Sequence, residues 1–267
     1  MQKSRAITLI VLFVATVISG TAAARSHSVE LFYFNPDSPQ SNLSRLKRDM
    51  DSFLSAAGFP ITFQPFAHLV DLENQLKEKA PAFLFVPEWY LKRNGAKLGL
   101  HPLLMPLHHG KAYYRKVLLA EQAVGLSDIH HGHPTVAMTS MGPDGNAILD
   151  TILFSPHGMT AANINAIIVP KDTDALFALA LGQVDMALVA ERSLKLISKI
   201  NPNILHRVHP LLESKPIPMP VLCYTKGVAT AADVQKLKRL FLDTRNKESR
   251  LLIMEMLQIN GWQADPK

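Results

Sequence analysis

Pro102-Leu-Leu-Met-Pro-Leu-His-His-Gly-Lys111 breaks the chain with two prolines, a histidine pair and a glycine, a run no helix sustains. A second break, Lys215-Pro-Ile-Pro-Met-Pro220, places three prolines at alternate positions. Ahead of the first break, Val29–Phe34 is β-rich and ends at the turn pair Asn35-Pro36. Ser41–Ala57 follows with Leu43, Leu46, Met50, Phe53 and Leu54 on one helical face, and Gly58 ends it. Pro60–Pro65 alternates as a strand, Val70–Lys79 reads as a helix and Ala82–Val86 as a buried strand. Strand and helix in alternation predict a parallel sheet with crossover helices.

Between the breaks a second alternating set runs. Its strands are expected at Lys116–Ala120, Thr135–Met138, Ala166–Val169 and Met186–Val189, and its helices at Asp144–Phe154, Asp174–Leu181 and Ser193–Lys199. After the second break come a strand, Val221–Thr225, and helices near Ala231–Thr244 and Lys247–Asn260. The two breaks then read as two passages between lobes. Residues 25–104 and 221–267 form one discontinuous lobe, residues 112–215 an inserted lobe, and residues 105–111 and 216–220 the hinge crossings. The fold class is α/β, each lobe a mostly parallel sheet flanked by helices. Ligands of such sheets bind beyond the carboxyl ends of the strands, which both lobes can present to one cleft.

Composition narrows the function classes. Of 267 residues 48% are hydrophobic, enough for a packed core. Lys and Arg number 28 against 22 Asp and Glu, spread without a dense run, so nucleic acid is not an expected partner. Cys223 is the only cysteine, which excludes an internal disulfide, and its apolar strand makes it a core residue. The first residues have the three parts of a secretory signal: Lys3 and Arg5, the uncharged Ala6–Gly20, and the small-residue site Thr21–Ala24. Fifteen uncharged, mostly apolar residues fall short of the ~20 that span a bilayer. Residues 1–24 are therefore expected to be cleaved after Ala24, releasing the protein into a periplasm.

The segment Asp174-Ala-Leu-Phe-Ala-Leu-Ala-Leu-Gly-Gln-Val-Asp-Met-Ala-Leu-Val189 resembles the helix, Gly-x-x-Asp turn and strand of the periplasmic substrate-binding proteins of ABC importers, phosphate/phosphonate-binding-like group. Pro218–Thr225 and Leu251–Trp262 are similar in the same order. The resemblance implies the two-lobe type II periplasmic binding fold, with Gly182 stopping the helix and Asp185 capping the turn. It also implies a small-molecule ligand and a membrane permease as partner. The chain differs where relatives often carry an acidic residue after the third strand, here Pro87-Glu88-Trp89-Tyr90. It differs again where they carry a run of small hydroxyl residues, here Thr139–Asn146, and where many have a His, here Thr173.

The candidate ligand-binding residues sit at strand ends. Phe34 and Asn35 close the first strand, and Glu88, Trp89 and Tyr90 follow the third; aromatic walls there would sandwich an apolar portion while Glu88 meets an amine. Thr139, Ser140 and Asn146 lead from a strand into a helix, where free N–H groups and hydroxyls suit an anion. Lys171-Asp172-Thr173 stands at the next such junction, with Thr173 as ligand group or N-cap, and Glu191 ends the last strand of the inserted lobe. His108-His109 lies in the first crossing, within reach of a cleft.

No Gly-x-Ser-x-Gly elbow or phosphate-cradling Gly-x-x-x-x-Gly-Lys loop occurs, so no catalytic residue, cofactor or metal is expected. The leading reading is an exported, monomeric solute-binding protein for an importer, taking a small polar or anionic ligand. Two alternatives stand beside it: the same fold as a sensor docking on a membrane receptor such as a histidine kinase, and a metal-binding protein using His130-His131-Gly132-His133.

Overall fold

A computed structural model of the chain describes residues 29–38, 42–59, 61–121, 124–242 and 247–264. The expected leader, residues 1–24, lies outside the described residues. No helix among the described residues is long and apolar enough to cross a membrane.

The first lobe is built from β1 (Val29–Phe34), α1 (Leu43–Ala56), β2 (Ile61–Phe66), α2 (Leu69–Glu78), β3 (Phe83–Val86), α3 (Glu88–Leu98) and β4 (Leu100–Leu107). A short strand, β5 (Tyr113–Tyr114), leads across to the second lobe. That lobe holds β6 (Lys116–Glu121), α4 (Leu126–Gly132), β7 (Thr135–Thr139), α5 (Gly145–Leu149, running on as a wider turn through Phe154) and β8 (Asn165–Val169). It continues through α6 (Asp172–Ala180), β9 (Met186–Ala190), α7 (Glu191–Ile200), α8 (Pro202–Leu205) and β10 (Val208–Glu213). The return passes through β11 (Ile217–Pro218) to β12 (Val221–Thr225), α9 (Ala231–Leu242), α10 (Lys247–Leu257) and β13 (Gly261–Ala264), all in the first lobe.

The sheets have the orders β13-β4-β12-β3-β1-β2 and β10-β6-β9-β7-β8, and β5 pairs with β11 between them. Each is mixed. Strands from βα units are parallel (β1 with β2 and β3; β7 with β8 and β9), while those joined to the crossings, β12 and β6, run antiparallel to their neighbours. Helices cover both faces of both sheets. In the first lobe Leu46, Met50, Phe53 and Leu54 of α1 share a core with Leu237 and Phe241 of α9, while Leu72 and Tyr90 pack on the other face. In the second, Leu149, Leu153 and Phe154 fill one face and Ala175, Leu176 and Leu179 of α6 the other. Cys223 is fully buried in β12.

Local chemistry accounts for the ends of these elements. The Asn42 side chain caps α1 by accepting from the Arg45 N–H at 2.8 Å. Edge strand β2 would expose the backbone of Phe63. Instead its N–H donates to Asp51 at 2.8 Å and its carbonyl accepts from Lys47 Nζ at 2.6 Å, both from α1. Gly182 ends α6 at φ +67°, and Asp185 holds the start of β7 by accepting from the Thr135 N–H and hydroxyl, each at 2.7 Å.

Several segments depart from expectation. The first Pro-rich break is strand through Leu107, so the first residues of the expected crossing 105–111 belong to β4. Pro102 is tolerated because it pairs with Cys223 beside a register shift in β12, where a missing N–H interrupts little. The helix α3, with Gly95 inside it, and the strands β10 and β13 are not evident from the sequence pattern. Helix α4, which ends with His130-His131-Gly132, is likewise absent from the expected elements.

Candidate functional site

Ionic and polar side chains from both lobes converge where the strands of each point at the other. Asp37, in the turn after β1, is the centre. Its Oδ1 accepts from Lys116 Nζ at 2.6 Å and from the Thr139 hydroxyl, and its Oδ2 accepts from the Tyr114 hydroxyl at 2.5 Å. Its carbonyl accepts from Arg192 Nη2 at 2.7 Å and Nε at 3.2 Å, and that guanidinium lies over the Tyr114 ring. Lys116 Nζ also donates to Thr139 Oγ1 at 2.7 Å and stands 3.8 Å from Asp172 Oδ1. Asp172 Oδ2 accepts from the Ala190 N–H and the Ser193 hydroxyl. Lys116, Thr139 and Ser193 are 0% exposed and Asp37, the most exposed of the set, 6%.

Strand direction brings Lys116 here. β6 runs against β9, pairing Lys116 with Ala190, so its first residue meets the carboxyl ends of β7 and β9. Two carboxylates and two cations balance within the cluster, which is how buried charge is tolerated. Burial alone would push the Asp37 carboxyl up, but the Lys116 charge and the bonds from Lys116, Thr139 and Tyr114 outweigh it and hold the group below its ordinary 3.8. Burial, with the neighbouring Asp37 charge, pushes Asp172 up against the pull of Lys116.

Beside the cluster lies a cavity of about 150 Å³ between the lobes. Phe34, Pro36 and His68 line it from the first lobe, and Ser140, Ile168 and Pro170 from the second. A larger hollow of about 380 Å³ opens along the second lobe under Gly142, Asp144, Asn146 and Ile168. Two further contacts join the lobes at its rim. Arg93 of α3 pairs with Asp144 at 2.5 Å, and the Trp89 ring lies flush against Gly142. Gly142 has φ +79°, and a Cβ built on it would stand 2.6 Å from Trp89 Cζ3.

The structure brings Phe34 and Ser140 together on one cavity, and puts Thr139 in the adjoining cluster. Asn146 lines the neighbouring hollow, and the side-chain oxygen of Asn35 is buried without a hydrogen-bond partner. Trp89 touches the opposite lobe. Glu88 instead pairs with Lys92 one turn along its own helix, and Tyr90 is core, its hydroxyl pushed up to about 12 by burial and the Glu73 charge. Thr173 is no N-cap, because α6 begins at Asp172 with Lys171 at the cap. Thr173 and Glu191 line neither cavity. His108 Nδ1 faces the Gln258 carbonyl at 2.8 Å, which ties the first crossing to the end of α10. Among the described residues no three His, Cys, Asp or Glu converge as a metal site, and the side chains of His130 and His131 lie outside those described. Sequence reasoning missed Asp37, Tyr114, Lys116 and Arg192; a charged residue opening a β-rich strand just past a crossing was the one available signal.

Two α/β lobes joined by two crossings, with polar side chains facing a cleft between them, define a hinged solute-binding protein. A sequence profile of the phosphonate ABC transporter periplasmic substrate-binding proteins matches residues 32–265, and the chain belongs to that family. It serves an ABC importer by capturing a small solute between its lobes, in a family that works in the periplasm. None of the curated protein sequences matches it. Among solved structures, a binding component of an ABC phosphonate transporter from Pseudomonas aeruginosa superposes with TM-score 0.72 at 12% identity, covering 89% of this chain and 81% of that one. PhnD1 from Prochlorococcus marinus, in complex with methylphosphonate, gives 0.70 at 10% identity, covering 90% and 93%. A histidine kinase sensor domain gives 0.56 at 17% identity, covering 88% and 98%.

Proposed function

We propose that the solute is a small phosphonate-like anion, bound between Phe34 and His68 on one lobe and the turn from Ser140 to Asn146 on the other. The observation that carries this is the interlobe cavity shared by Phe34 and Ser140, in a chain of the phosphonate-binding family. Ser140 Oγ accepts from the Gly142 N–H at 3.2 Å, which leaves the hydroxyl hydrogen to donate to a ligand oxygen. Opening about segments 108–115 and 214–220 would part the two walls to admit the ligand, in a monomer. The importer role, and not sensing, is supported by the family match.

Thermal-shift and calorimetric titration with methylphosphonate, phosphate and short alkylphosphonates tests the ligand class, since binding the folded state alone raises the midpoint. Ser140→Ala is expected to weaken the phosphonate that binds best by about tenfold, the scale of one hydrogen bond to a charged group. Unchanged affinity would remove Ser140 from the site, and no response to any phosphonate would remove the ligand class.

We also propose that the leader is removed. Intact mass of protein taken from the periplasm should fit a chain starting at Arg25, and a mass retaining Met1–Ala24 would refute cleavage.

A further inference from the structure

The cluster around Asp37 has the composition of an anion site, yet the anion in it belongs to the chain. Lys116 Nζ, the Thr139 hydroxyl and the Tyr114 hydroxyl all point at one carboxylate, and Arg192 holds the carbonyl of the same residue. Lys116, Thr139 and Arg192 belong to the second lobe, Tyr114 to the crossing and Asp37 to the first lobe. The donors stand at the carboxyl ends of β7 and β9, the place where this fold class receives ligands. Thr139 is joined directly to Ser140, which lines the cavity, and Pro36 on the same wall directly precedes Asp37. The cluster therefore lies next to the cavity, with the Asp37 turn between them.

We infer that Asp37 is a built-in anionic latch and selectivity element: its carboxylate holds the lobes together by occupying the donors of the second lobe, and it keeps external anions off Lys116 and Thr139. This rests on reading the cleft as the ligand site. An anion confined to the cavity meets Ser140 and His68 and none of the donors that Asp37 occupies. One that takes Lys116 must first displace Asp37 and so open the latch.

The test uses the mature protein, refolded from denaturant to strip bound solutes. Asp37→Ala should enlarge the radius of gyration seen by X-ray scattering. Acetate, a free carboxylate of matching chemistry, should restore both compactness and thermal midpoint while leaving the wild type unaffected. Inorganic phosphate should bind Asp37→Ala about tenfold or more tighter than wild type, since it gains charged hydrogen bonds that Asp37 otherwise takes. Asp37→Asn keeps the shape and one acceptor oxygen, so it guards against a variant that fails to fold; it should show a smaller expansion and a smaller gain for phosphate. The latch is overturned if both variants stay as compact as wild type, or if the expanded protein ignores acetate and phosphate alike. Wild type titrated with methylphosphonate in parallel reads the ligand assignment separately. Should that titration fail, the acetate response of Asp37→Ala still decides whether the latch exists.

Discussion

Lys116→Met is expected to destabilise the protein by about 3–5 kcal/mol, the scale seen when one partner of a buried ion pair is removed. The ammonium stands 2.6 Å from Asp37 and 3.8 Å from Asp172 and is 0% exposed, so no water takes its place cheaply. The variant should also change how stability depends on pH. In the wild type Asp37 sits below its ordinary 3.8. Its contribution is therefore full above that value and is lost as pH falls through the lowered one. With Lys116 gone, burial dominates and raises both carboxyls in the folded state. Stability is then greatest below the unfolded value and is lost as pH rises through the raised ones. Urea denaturation at pH 5 and pH 8 reads this: Lys116→Met should be more stable at the lower pH, and adding Asp37→Asn should recover part of the loss. A loss under about 1 kcal/mol with no pH dependence would mean that the cluster carries little of the stability.

Gly142→Ala should drive the lobes apart at the Trp89 contact. The new Cβ would meet Trp89 Cζ3 at 2.6 Å and Cε3 at 2.7 Å, and the backbone at φ +79° already disfavours any side chain. Because the collision exists only when the lobes touch, ligand affinity should fall by tenfold or more, about 1.4 kcal/mol. Fold stability should fall less. Trp89→Ala removes the obstacle, so the double variant should bind more tightly than Gly142→Ala alone. The cycle separates interlobe collision from backbone strain. Strictly additive effects on affinity would show that Trp89 and Gly142 do not meet when ligand binds.

Local pattern made most of the fold legible. The alternating strands and amphipathic helices of both lobes stand where their residues put them, and the glycine after α6 stops it as its sequence suggests. Strand direction was not legible. No local pattern distinguishes a strand leaving a crossing from one leaving a helix, so Lys116 read as a strand's first residue and not as a group at the cleft. Asp37 lay hidden in Asn35-Pro36-Asp37-Ser38, where turn chemistry suffices to explain an aspartate. Arg192 fell between the expected strand Met186–Val189 and the expected helix Ser193–Lys199, where nothing in the pattern signals burial, yet it is 1% exposed. The aromatic residues of Glu88–Tyr90 stand at the strand end their sequence suggests but divide in role. Helical geometry separates neighbouring side chains by about 100°, so Trp89 reaches the other lobe while Tyr90 turns into its own core.

The pairing of β12 with β3 and β4, and of β13 with β4, fixes an order of assembly. The first four strands are synthesised well before the two that complete their sheet. Residues 116–213 of the second lobe form their five strands without any later segment. A chain emerging amino end first would therefore build its inserted lobe while the first lobe still offers unpaired edges on β3 and β4. Those edges invite pairing with other chains until the carboxyl-terminal strands arrive. Delivery through a membrane would place that delay on the far side, where holding factors rather than speed would keep the unfinished sheet from aggregating.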